Sequence, residues 1–247
     1  CIRDRLSLID LGDENYPVVH RVLLDDFPTH VLAHPDGKRF IVGGLKHFYV
    51  FEIADGRLVK VSQSPQAHGF SCFWIHPGGD RLIATQVIPD GPLVPGKFTP
   101  LPNPSPVQWY AIEGNQIRHL SEVKGKPGLQ TALLPASMIL RISPDGRLAL
   151  ICQRATNSGR DFCDVLIAAL TLEKPQITSV IKQASDGLAS FAFHPNGKMA
   201  VATGLGPAHN GIAVIDITSK PARLLYTIEA KGIGQGIEFT PEGAQLF

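Results

Sequence analysis

The side chains able to do chemistry are scattered along this sequence, and no familiar local spacing joins them. Nine histidines are present, yet there is no HxH or HExxH pair, GxSxG elbow, Walker-type glycine loop or CxxCH haem-attachment motif. Any chemistry must therefore come from residues that the fold brings together. Four histidines on different segments, His30, His47, His68 and His209, could in principle surround a copper or zinc ion, because neutral imidazole suits both. Taken singly, a histidine is also a general base. Arg154 and Arg160 could hold a carboxylate or phosphate through the two-pronged guanidinium. Asn157, Asn210 and Gln235 add hydrogen-bonding groups.

The elements that position these residues can be read from a repeat. AHPDGKRFIVGG, residues 33–44, is followed by WIHPGGDRLIATQ, RISPDGRLALICQ, AFHPNGKMAVATG and EFTPEGAQLF. The turn prolines are Pro35, Pro77, Pro144, Pro195 and Pro241, spaced 42, 67, 51 and 46 residues apart, a period that marks a repeated supersecondary unit. Proline suits position i+1 of a type I turn, and a following glycine takes the left-handed position, which predicts a three-residue hairpin loop with a glycine bulge.

Apolar strands flank each turn, such as SCFWI before and RLIATQV after. A third strand follows in FYVFEI, VQWYAI, DVLIAAL and GIAVIDI, and then a weaker, more polar fourth in RLVKVS, QIRHLSEV, QITSVIK and ARLLYTI. The periodicity is near 2, which excludes a helical solenoid. Four antiparallel strands with apolar inner members and a polar outer edge describe the blade of a β-propeller. The expected fold is thus an all-β propeller in one domain spanning 1–247. It has four full blades at about 29–63, 69–123, 138–183 and 188–230, and half-blades at 5–24 and 234–247.

The combination of an apolar strand, HPDGKRFIV and VFEIADGRL resembles the YVTN-type propeller repeat, within a wider group of lactonase-like and cytochrome d1-type propellers. The resemblance covers nearly the whole chain and rests on turn and core residues. It implies seven four-stranded blades, here represented in part; closure of the two half-blades into a fifth blade is the alternative. Lactonase-like relatives carry an Asn-Glu pair after the strand that follows the turn. The corresponding stretches here, VGGLKH, ATQVIP, ICQRAT and ATGLGP, hold no acid.

In such a fold the HPxG turns lie on the plain face, so His34, His76 and His194 read as surface turn residues. The second-to-third strand loops and the crossings between blades occupy the other face. There the sequence inserts IPDGPLVPGKFTPLPNPSP at 88–106 and KGKPGLQTALLPAS at 124–137. Loops of this length are uncommon unless functional or disordered, and the proline load makes the first a semi-rigid rim. Cys152 and Cys163 flank the expected loop ATNSGRD. A symmetric hairpin centred between them would place them opposite one another, within disulfide reach, and such a bond would imply an exported, oxidising setting, periplasmic or secreted.

Charge narrows the partners. With 23 basic and 22 acidic residues and a net charge of +1, no footprint of a nucleic-acid binder is visible. No apolar run reaches the roughly 18 residues of a membrane span. The leading functional expectation is a binding scaffold that takes a small molecule or protein partner at the built-up channel face, with His30, His47, Arg154, Asn157, Asn210 and Gln235 as ligand contacts. The first alternative is a lactonase-like hydrolase or isomerase acting on a small anionic sugar or organic-acid lactone, with His68 or His209 as base and Arg154 orienting the substrate. The second is a metal- or haem-dependent redox propeller using the channel histidines.

Overall fold

A computed structural model describes residues 5–44, 46–65, 70–86, 106–124, 140–157, 160–171, 175–185, 188–204, 211–229 and 236–247. Among these residues the chain is all β. Strands β1 (Arg5–Ile9) and β2 (Val18–Leu23) form a two-stranded antiparallel sheet. Four-stranded antiparallel sheets follow in chain order. Blade 1 holds β3 (Pro28–Ala33), β4 (Arg39–Gly44), β5 (Phe48–Ala54) and β6 (Arg57–Gln63), and blade 2 holds β7 (Phe70–Ile75), β8 (Arg81–Gln86), β9 (Pro106–Glu113) and β10 (Gln116–Lys124). Blade 3 consists of β11 (Leu140–Ile142), β12 (Leu148–Asn157), β13 (Arg160–Leu170) and β14 (Pro175–Ser185), and blade 4 of β15 (Leu188–Phe193), β16 (Met199–Gly204), β17 (Gly211–Asp216) and β18 (Arg223–Glu229). A last turn is closed by a bridge between Phe239 and Leu246. Among the described residues no helix is long and apolar enough to cross a membrane.

The first strands β3, β7, β11 and β15 touch in succession, so they line the centre and each sheet runs outward from it. Burial follows the same radius. Strands β4, β5 and β16 are largely buried on both faces, whereas β18 is exposed along its whole length. The apolar faces are buried between neighbouring blades. Phe48 and Val50 of blade 1 pack with Phe73, Leu82 and Tyr110 of blade 2. Trp109 of blade 2 shares a cluster with Leu140 and Leu166 of blade 3 and Phe191 of blade 4. Leu6, Leu8 and Val22 cover Tyr49 and Phe51 on the other side of blade 1. Each large side chain so buried contributes about 1.5–3 kcal/mol.

The repeated turns differ from expectation in two respects. Each loop is four residues long, because the closing bond runs from His34 N–H to Arg39 C=O, and likewise from His76 to Arg81, Ser143 to Leu148 and His194 to Met199. The turn histidines, moreover, are not idle surface residues. His34 is buried, with Nδ1 accepting the Asp36 amide at 3.2 Å and Nε2–H donating to the Gly79 carbonyl of blade 2 at 2.7 Å. His76 repeats the arrangement, accepting from Gly78 N–H at 3.0 Å and donating to Gly146 C=O of blade 3 at 3.2 Å. The ring of His194 accepts from Asn196 N–H and lies where a Cβ on Gly243 would be. His34 thus latches blade 1 to blade 2 and His76 blade 2 to blade 3, while His194 packs against the last turn.

The latch needs glycine at the receiving turn. At Gly146 a Cβ would come within 2.3 Å of His76, and φ is +73°. Blade 3 carries Ser143 where the others carry histidine, and the receiving Gly197 of blade 4 has nothing within 4 Å of its Cβ position. On the outer rim Arg39 and Ser62 of blade 1 donate to the Gly114 and Asn115 carbonyls of blade 2.

Blade 3 also departs from the expected hairpin. Residues 155–157 and 160–161 of the stretch read as a loop are strand: Asn157 pairs with Arg160, so β12 and β13 run on as a ribbon. The centre of this hairpin is one residue later than a symmetric Cys152–Cys163 pairing requires. Cys152 lies opposite Val165 and Cys163 opposite Arg154. Diagonal positions of this kind are about 7–8 Å apart, beyond disulfide reach. The structure contains no such bond, and the inference of an oxidising compartment loses its geometric basis.

The latches make a graded prediction for urea unfolding. His34→Ala leaves the Gly79 carbonyl without its donor and is expected to cost about 1–3 kcal/mol. Gly146→Ala should destabilise more than Gly197→Ala, which meets only the left-handed backbone penalty of about 1–2 kcal/mol. Ser143→His should stabilise by about 1 kcal/mol by supplying the missing latch; no gain in midpoint would refute the latch geometry at that interface. Reduction should leave the midpoint of the native chain unchanged.

Candidate functional site

On the loop-rich end of blade 1 the chain crosses from β2 to β3 through Asp25 and Asp26. The Asp26 carboxylate accepts the amides of Phe27 at 2.7 Å, Lys46 at 2.7 Å and His47 at 3.1 Å. It is nearly buried and fixes the loop between β4 and β5, as a carboxylate accepting several backbone N–H groups does. His47 is thereby set against the start of β6's continuation, where its Nδ1 meets the Ser64 carbonyl at 2.9 Å. A carbonyl can only accept, so Nδ1 carries the hydrogen and Nε2 presents a lone pair. Ser64 is held in turn by Phe48, exchanging backbone N–H···O=C at 2.8 Å and receiving the Phe48 amide on Oγ at 2.9 Å.

Tyr49 lies beside this imidazole, ring centroids 5.9 Å apart. Its hydroxyl donates to Asp25 Oδ1 at 2.9 Å. Burial, then the bond to Asp25, pushes the phenol well above its ordinary range, while the Tyr49 hydroxyl is the main cause holding the Asp25 carboxyl low. The group therefore offers one oriented acceptor, His47 Nε2, beside a phenol that stays protonated. It can receive a hydrogen bond or a proton from a ligand.

The other expected residues distribute as follows. His30 packs its ring on Phe73, 5.2 Å between centroids, on the side of blade 1 that faces blade 2. Burial shifts it toward the neutral form. His47 is on the opposite side, toward β1 and β2. The two histidines are thus separated by the sheet rather than gathered at one ion, because adjacent rungs of a strand pair direct successive side chains to opposite faces. Among the described residues no group of three His, Cys, Asp or Glu is placed to hold a metal. His68, His209, Asn210 and Gln235 lie outside the described residues, as do 88–105 and 125–137 of the two long insertions.

Arg154 and Asn157 are on the blade 3 ribbon, opposite Cys163 and Arg160. Strands β12 and β13 have 10 and 11 residues, against 6 and 7 in β4 and β5. In the aligned repeats β4, β8 and β16 end at the position of Gln153, so the ribbon projects by four further residues, about 13 Å. At its root Asp164 is fully buried, with Lys182 Nζ at 2.5 Å from Oδ2. Neither Asp26 nor Asp164 stands out in the sequence: the first is buried by a loop 20 residues on, and the second is met by Lys182 of the neighbouring strand.

No protein-family model matches the chain, and no curated protein does. Solved structures do. A protein from Desulfotomaculum acetoxidans described as functionally unknown superposes with a TM-score of 0.73 at 14% identity, over 99% of this chain and 68% of that one. A candidate 6-phosphogluconolactonase from Bacteroides uniformis gives 0.68 at 16% identity, covering 98% and 69%. The β-propeller domain of Cps50 (Swd1) from Myceliophteria thermophila gives 0.66 at 14%, covering 100% and 73%. At these identities the likeness shows the fold, a β-propeller of four-stranded blades.

Asp26→Ala removes the acceptor of three backbone amides. It is expected to lower stability by about 1–3 kcal/mol and to speed hydrogen exchange at Lys46 and His47. Unchanged protection at both amides would show that the loop is held by other means.

Proposed function

We propose that the chain is a binding scaffold that docks a partner protein on its loop-rich face. The observation that carries this reading is the blade 3 ribbon. Its strands run on past the ends of β4, β8 and β16, and it carries Arg154, Asn157, Arg160 and Asp161. A four-stranded blade closes without such an extension, and the mostly polar sequence at 154–161 fits a contact made outside the propeller. The insertions at 88–106 and 124–137 belong to the same expected face, and a proline-stiffened rim lowers the entropy lost on docking. Propellers serve unrelated activities, so the face rather than the fold supports this conclusion.

A hydrolase acting on a small anionic lactone is the second reading. It is favoured by the open Nε2 of His47 and by the lactonase candidates among the structural neighbours.

A shortened ribbon separates the two. Removing Ala155–Asn157 and Arg160–Phe162 joins Arg154 to Cys163 through Ser158-Gly159 and preserves their pairing. Immobilised native protein is expected to retain a partner from extracts of its own cells, and the shortened variant to lose it with an unchanged unfolding midpoint. Equal retention by both forms would overturn the docking assignment. Hydrolysis of 6-phosphogluconolactone above the spontaneous rate, abolished by His47→Gln, would establish the second reading instead.

A further inference from the structure

The residue three places before each turn proline recurs once per repeat: Leu32, Trp74, Arg141, Ala192 and Glu238. Because β3, β7, β11 and β15 succeed one another around the centre, this position comes to one height on successive innermost strands. Three of its members are joined. The Arg141 guanidinium lies over the Trp74 ring, 5.1 Å from the centroid. Its Nη1 donates to the Phe191 carbonyl of β15 at 2.8 Å, and its Nη2 pairs with Glu238 Oε2 at 2.6 Å. The pair skips a blade, since blade 4 places only Ala192 at this position.

The two ends of the ion pair are held differently. Arg141 has 17% of its side chain exposed, Glu238 59%. Tryptophan stacking and a main-chain acceptor fix the guanidinium whether or not the carboxylate is present, and a planar five-donor fork on an aromatic face is the usual receiver of carboxylate or phosphate. An exposed carboxylate on such a pair contributes about 0–1 kcal/mol, so an incoming oxyanion exchanges with it at little cost. Trp74 and Leu32, both half-buried, offer apolar surface to the body of the ligand.

We propose that Arg141, seated on Trp74, is the anion receiver of a small-molecule site at the centre of the propeller, that Glu238 occupies it in the unliganded chain, and that its ligand is a small organic acid or phosphate ester. This site is independent of partner docking on the ribbon. The shared chemistry is an oxyanion, and the two sources are separated by probe: benzoate and citrate for carboxylates, inorganic phosphate and glucose 6-phosphate for phosphates, glucose as the neutral control.

Titration calorimetry on the full chain tests it. At least one of these anions is expected to bind saturably with Kd below about 1 mM, and glucose is not. Glu238→Gln removes the resident competitor and should tighten that binding by about two- to fivefold, within the roughly 1 kcal/mol that the exposed carboxylate contributes. Arg141→Lys keeps the charge but loses the fork and should weaken it about tenfold or more. The ribbon-shortened variant should bind the anion like the native chain, so failure here and failure of the docking reading are told apart. Anion binding that is unaltered by Glu238→Gln would overturn the proposal, whatever the folding of the arginine variant. So would the absence of saturable binding to both the native chain and Glu238→Gln.

Discussion

The constraint on which the rest depends is that the inner strands are apolar on both faces. A sheet of this kind cannot present one side to water, so each blade needs a second blade against each face. Phe48 with Phe73 and Tyr110, and Trp109 with Leu140 and Leu166, are the local solutions. Hydrophobic packing alone leaves the angle between blades loosely specified, since apolar contact has little direction. Direction is supplied by the histidine latches, where a ring nitrogen of one turn meets the carbonyl of the next. Each histidine is itself fixed by accepting an amide of its own turn, so one side chain orders its loop and registers its neighbour.

Where the latch is missing, other polar contacts take its place. Between blades 3 and 4 the turn residue is Ser143, and bonds across the interface run from Arg141 to the Phe191 carbonyl and from the Ala222 amide to Ser179 Oγ. The arginine then reaches on to Glu238. The interface without a histidine is thus the one spanned by a charged side chain at the centre. Blade 3 is also the blade whose two middle strands lengthen into a ribbon, so one repeat holds both the central arginine and the extended arm.

Polar groups at the loop-rich end work by holding backbone rather than by meeting each other. Asp26 binds three amides, Ser64 ties the β5 start to the strand after it, and His47 keeps one nitrogen open. His30, though near in sequence to these groups, is turned to the opposite side of the sheet. A pleated sheet separates neighbours in sequence by face, and that separation decides which side chains can cooperate.

The sequence by itself determined the blade. Period-2 apolar alternation, five proline turns and glycine at their left-handed positions are local properties, and the glycines at positions 37, 146, 197 and 243 all have φ near +70°. Tertiary structure decided register and reach. The hairpin of blade 3 turns one residue later than its cysteines implied, because strand pairing beyond the blade gains further backbone bonds that no local pattern announces. The value of His34 and His76 was hidden for a similar reason: their acceptors lie 45 and 70 residues away. Trp74, Arg141 and Glu238 carry no motif in common. They were brought together only because equal places in a repeat become equal heights around one centre.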